Sequence, residues 1–160
     1  MLKAKVKFED TEHIDLQKKI ANLKGAVDVG IFGEQDSEMV IQAASNEFGT
    51  KTAGRNHNIV IPERSFIRST FDEQKDSLTE SIDKAKINVV IGKISKDRFL
   101  NRLGLFLGGK IVAKINDSKQ WAQDNADSTV AAKTRAGKVG DQPLVDTGRM
   151  KQSVTHKLVK

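Results

Sequence analysis

Ser95-Lys-Asp-Arg-Phe-Leu-Asn-Arg-Leu-Gly-Leu-Phe-Leu-Gly-Gly-Lys-Ile-Val-Ala-Lys-Ile115 decides the fold. Phe99, Leu103, Phe106, Leu107, Ile111 and Ile115 recur every three to four residues, the period of one helix face, and Ser95 is placed to cap it. Gly104 and Gly108 lie one turn apart on this helix, where each costs about 1 kcal/mol of helix propensity. They predict a smooth face that another backbone approaches closely.

Strands flank this helix in the sequence. Ala26-Val-Asp-Val-Gly-Ile-Phe32 reads as a strand closing on Gly33, and in the tail Val154, His156 and Leu158 share one face of another. Leu2, Ala4, Val6 and Phe8 alternate with lysines as a further strand, followed by a helix over 10–23 with Asp10 or Thr11 as cap. Ser37 is placed to cap a helix over 38–48, which Gly49 stops. Residues 49–57 are polar and without hydrophobic period, hence an exposed loop, and Asn58-Ile-Val-Ile61 is a short strand ended by Pro62. Phe66, Ile67, Phe71, Leu78 and Ile82 carry a helical stripe to about residue 85; Ile87 to Ile91 either continues it or forms a strand before Gly92. After Asp117 the pattern dissolves up to Gln142, with Trp121 as anchor and a short helix near 128–134. The expectation is a single α+β domain over 1–160. A small mixed or antiparallel sheet packs against two or more helices, with a long polar loop and a C-terminal extended arm or strand. Segments 49–57 and 118–142 are expected to be mobile.

Composition narrows the chemistry. The 160 residues contain no cysteine, which excludes disulfides, thiolate zinc sites and a cysteine nucleophile. No apolar run reaches the roughly 20 residues of a membrane span, and no signal peptide is read at the start, so the product is expected to stay inside the cell. The formal charge is +6, and residues 1–50 carry 6 basic and 9 acidic side chains, 51–110 carry 12 and 7, and 111–160 carry 9 and 5. Basicity in the later part suits an acidic protein partner, nucleic acid, or an ordinary solvated surface.

Gly104-Leu-Phe-Leu-Gly108-Gly109-Lys110-Ile111 nearly spells a phosphate-binding loop, but Ile111 stands where a hydroxyl is needed and the loop positions belong to an apolar helical stripe. His13, His57 and His156 are isolated, and Asp28, Glu47, Glu63 and Lys86 have no spacing that marks a site. Lys51, Arg55, Lys133, Arg135 and Lys138 can attract phosphates but have no interleaved aromatics to stack bases. No catalytic residue, cofactor or metal is expected.

Four separated stretches resemble one family, the tail-completion or neck proteins of tailed bacteriophages, also called phage virion morphogenesis proteins. Val29-Gly-Ile-Phe-Gly33 with Ile41-Gln-Ala-Ala-Ser-Asn-Glu-Phe-Gly-Thr50 is similar to its strand and N-E-F/Y-G-T helix end. Ile61-Pro-Glu-Arg-Ser-Phe-Ile-Arg68 resembles I-P-x-R-P-F-[LI]-R, with Ser65 in place of the second proline. The stretch from Trp121 to Lys133 resembles W-x-P-N-x-x-x-T-x-x-x-K without its proline, and Pro143-Leu-Val-Asp-Thr-Gly-Arg-Met-Lys-Gln-Ser-Val154 is close to P-L-[IV]-D-T-G-x-[LM]-x-x-S-[IV].

The resemblance implies a non-enzymatic virion protein at the head–tail junction, assembled in the host cytoplasm as a homo-oligomeric ring. A hexamer is favoured and a dodecamer is the alternative. Implied partners are a head-completion or connector protein and the tail terminator, tail-tube or sheath-side proteins, with genomic DNA passing through unread and no membrane contact. A tail terminator, another connector ring or a small basic nucleic-acid-binding protein are the competing readings. Trp121, Asp146, Thr147, Gly148 and Arg149 are candidate subunit contacts, Asp146 and Thr147 reading equally as a capping turn for a helix over 148–153. Pro62, Phe66 and Arg68 form a candidate structural corner, with Glu63 favouring the helix N-terminus. Glu34, Asp36 and Glu38 either line a channel or supply negative charge at a helix start.

Overall fold

Tail and front of the chain meet in one small sheet. In the computed structural model, which describes residues 18–19, 24–54, 56–138 and 140–159, strand β1 (Ala26–Ile31) pairs antiparallel with β4 (Val154–Val159). The register sets Ala26 opposite Val159 and Ile31 opposite Val154. Between them run α1 (Gly33–Phe48), β2 (Thr50–Ala53), β3 (Ile59–Ile61), α2 (Ile67–Val90), α3 (Lys96–Asn116), α4 (Ser118–Trp121), α5 (Asp127–Arg135) and α6 (Arg149–Gln152). The chain is α+β, and among the described residues there are two antiparallel two-stranded sheets, β1 with β4 and β2 with β3. The strand expected over 2–8 lies outside the described residues. So does most of the helix expected over 10–23, of which Lys18 and Lys19 are helical and exposed.

Helix α3 is the element on which the sheet rests, and Ser95 caps it by accepting from Arg98 N at 3.3 Å. Leu100, Leu107, Ile111 and Ile115 are its buried stripe. At Gly104 a methyl group would stand 2.5 Å from the ring of His156 on β4, so glycine is what lets strand and helix approach. A side chain, not a backbone, fills that space. Gly108 meets Val29 and Val154 at ordinary contact distance. The core joins Ile111 and Ile115 to Met39 and Ala43 of α1, Phe66, Leu144 and Met150, with Val29, Ile31, Trp121 and Val154 packed around them.

Several boundaries differ from expectation, each for a local reason. Residues 50–53 are a strand paired with Ile59–Ile61, not a loop, because their partner supplies the hydrogen bonds that Thr-Lys-Thr shows no apolar period to announce. Helix α1 begins at Gly33 and is kinked at Asp36, whose backbone is extended (φ −159°). Asp36, rather than Ser37, caps the turn that follows, its Oδ1 accepting from Met39 N at 3.1 Å. Ile87 to Val90 continues α2, and Gly92, at φ 75°, ends it. The polar stretch 118–142 contains α4 and α5, and its Ser118 is fully buried. Among the described residues no helix is long and apolar enough to cross a membrane.

Candidate functional site

Glu47 sits in the last turn of α1, where a negative charge opposes the helix dipole. Its side chain is almost fully buried and points at the start of α2, whose first turn has no acid of its own. There the carboxylate accepts from Phe66 N (2.8 Å), Ile67 N (2.8 Å), Arg68 N (2.9 Å) and Ser65 Oγ (2.9 Å). Arg68 Nε adds a bond at 3.1 Å and its Nη2 reaches the Glu47 carbonyl at 2.8 Å. One helix thus caps another with a side chain. Burial pushes the Glu47 carboxyl up, but the Ile67 and Arg68 amides, Ser65 and the Arg68 guanidinium outweigh it and hold the group below its ordinary value.

Its neighbour Asn46 and the buried Arg64 extend the junction. Arg64 N donates to Asn46 O at 2.6 Å, and its guanidinium donates to Asn46 Oδ1 (3.1 Å), Gln123 O (2.8 Å) and Asp124 O (2.9 Å). Burial lowers the Arg64 pKa, opposed by the Asp124 charge. Lys133 of α5 donates to Gln142 O (2.9 Å) and Val145 O (2.7 Å), which pulls the segment before α6 onto that helix. Its pKa is also lowered by burial, with Asp146 opposing. Asn125 Nδ2 to Gly140 O (3.1 Å) and Ser118 Oγ to Pro143 O (2.5 Å) complete the ties. Among the described residues no buried side-chain nitrogen or oxygen lacks a partner.

Beside these groups opens a cleft of about 900 Å³, bounded by Asn46, Ile61, Arg64, Gln123, Lys133 and Val145. Glu47 and Glu63 both serve Arg68, Lys86 pairs with Asp83 at 2.7 Å, and Asp28 lies on β1 opposite Lys157. Among the described residues no three His, Asp or Glu side chains are gathered as a metal site. The near phosphate loop at 104–111 is mid-helix, its amides already bonded within α3.

Phe66 is fully buried, Pro62 lines the cleft, and Arg68 bridges Glu47 and Glu63 while its guanidinium covers the Phe48 ring at 4.7 Å. The carboxylate at the α2 N-terminus is Glu47 and not Glu63, because Glu63 is exposed and turned to Arg68. Trp121 makes contacts within the chain: its Nε1 donates to Lys114 O at 2.9 Å and Lys114 Nζ lies 4.9 Å from its ring centre. Asp146 does not cap α6; it takes Lys138 at 2.8 Å, while Thr147 Oγ1 accepts from Arg149 N at 3.4 Å and Gly148 turns the chain at φ 82°. Arg149 reaches Asp36 at 2.8 Å and Glu38 at 3.7 Å, and Glu34 pairs with Lys157. The acidic trio is therefore charge-matched within the chain.

Glu47, Arg64 and Lys133 hold the junction together, and sequence reading did not select them as a site. The available signal was an acid in the final turn of a helix without any basic residue there, a local misfit that requires outside donors. In comparisons with known proteins, no family model, no curated protein and no solved structure matches this chain.

Proposed function

We propose that the chain is a structural, non-enzymatic subunit of a homo-oligomeric ring at the head–tail junction of a tailed bacteriophage. One observation carries the reading. The four stretches on which the resemblance rests are far apart in sequence, yet Asn46 and Glu47, Arg64 and Phe66, Gln123 and Lys133, and Val145 are linked by hydrogen bonds into one partly buried junction. Chance matches have no reason to meet. The polar groups of that junction are spent on one another, which suits a scaffold more than a catalyst. Exposed Ile41, Phe48, Ile59, Val60, Ile87 and Leu105 offer apolar area to neighbours. Partners in this reading are a head-completion or connector protein on one side and tail terminator, tail-tube or sheath-side proteins on the other, with DNA passing without sequence recognition.

Sedimentation velocity and negative-stain imaging of the purified chain test it. A closed ring, hexameric first and dodecameric as the alternative, is expected. A stoichiometric, salt-sensitive DNA complex of the monomer would instead support the nucleic-acid-binding reading.

A further inference from the structure

Two unlike surfaces of this chain complement each other. The first is an apolar groove of about 430 Å³ between α2 and α3, whose floor includes Phe71, Leu78, Ile82, Phe99 and Leu103. Lys75, Lys86 and Lys96 stand along it, and among the described residues no Asp or Glu lines it. From Phe71 to Val89 the groove follows α2 for about 27 Å at the helical rise. The second surface is the outer stripe of α1. Ile41 and Phe48 are 67% and 62% exposed, Ala44 lies exposed between them, Glu38 carries the stripe toward the helix start, and Glu34 stands just beyond the kink at Asp36. Beyond the kink the regular part of this helix, residues 37–48, is about 18 Å long and fits within the length of the groove.

We propose that α1 of one copy docks in the α2–α3 groove of the next, with Ile41, Ala44 and Phe48 on the apolar floor and Glu34 and Glu38 against the lysine rim. The inference rests on the ring reading and names its subunit contact. Each partner presents a different face, so the contact is heterologous and propagates around a ring rather than stopping at a dimer. An apolar helix stripe entering a groove is a common mode of recognition, and the opposite charges set its direction and register. The pairs that Glu34 and Glu38 make with Lys157 and Arg149 do not compete strongly. Both carboxylates remain largely exposed, and solvated pairs of this kind are weak.

The test uses the full chain, whose lack of cysteine leaves the background clean. A variant carrying both Ile41→Cys and Thr79→Cys, one exposed position on each surface, is oxidised and run without reductant. A ladder of disulfide-linked multimers is expected, and each single variant should give no ladder. In sedimentation velocity, Glu38→Lys and Lys86→Glu each weaken self-association by about threefold to tenfold. The two together recover most of the loss, while Ile41→Asp, which puts an unpaired charge on the floor, weakens it by more than tenfold. Circular dichroism checks that each variant is folded. A wild type that assembles, with no ladder and with all three variants assembling unchanged, overturns this contact and leaves the ring reading standing. A wild type that stays monomeric at every concentration overturns both.

Discussion

Replacing Glu47 isolates the junction's contribution to stability. Glu47→Ala removes the acceptor of three backbone amides, one hydroxyl and one guanidinium nitrogen while leaving those donors in place. Breaking a buried charged network from one side costs about 3–5 kcal/mol. The lower end applies here, since the Arg68 side chain is half exposed and regains water. A loss of about 3 kcal/mol corresponds to a fall in Tm of roughly 6–12 °C for a chain of this size. Glu47→Gln keeps one acceptor and the shape but loses the charge, so about half that loss is expected. Urea unfolding followed through Trp121, the one tryptophan in the sequence, measures both.

Acid supplies an independent reading of the same group. The folded carboxyl lies below its ordinary value, so its contribution is complete above the unfolded pKa of about 4.3 and is lost as pH falls through the folded value. The gap between wild type and Glu47→Gln should therefore narrow on acidification below about pH 4.3. A Glu47→Ala protein within about 1 kcal/mol of wild type, or a gap that widens in acid, would refute the capping argument.

Gly104→Ala sets a methyl against the His156 ring; overpacking of about 1–3 kcal/mol outweighs the roughly 1 kcal/mol gained in helix propensity, and His156→Ala in the same chain should recover the stability in a double-mutant cycle. Lys133→Met leaves the Gln142 and Val145 carbonyls without their donor, so about 1–3 kcal/mol is lost and amide exchange quickens around 140–148, which mass spectrometry reads directly. In the purified chain, amides of Thr50–Ala53 and Asp127–Arg135 should exchange more slowly than those of an unstructured peptide; free exchange there would restore the mobility that composition alone suggests.

Regular helices were legible because their signals are local. The stripe from Phe99 to Ile115 and the Ser95 cap lie within single turns of one another, and a glycine face on α3 followed from spacing alone. The strand at Thr50–Ala53 was hidden, since pairing with Ile59–Ile61 is a property of two segments and neither shows alternation. Burial of Arg64 and half-burial of Lys133 were hidden for a related reason. A lysine or arginine is exposed by default, and only the carbonyls brought in from 123–124 and 142–145 make its burial tolerable. The trio Glu34, Asp36 and Glu38 read as free negative charge because Arg149 and Lys157 are more than a hundred positions away.

Pairing of β1 with β4 also dictates an order of events during synthesis. Val27 and Leu158 are partners, so the first described strand leaves the ribosome long before its mate exists. Until then β1 is an open edge, able to recruit any extended segment nearby, and the α3 face that receives the sheet stays uncovered. Closure over so long a separation slows folding, and helices α2 and α3, built from local contacts, should form ahead of it. A ribosome stalled before Val154 would hold a chain with formed helices and an unsatisfied strand, the species that chaperones are expected to bind.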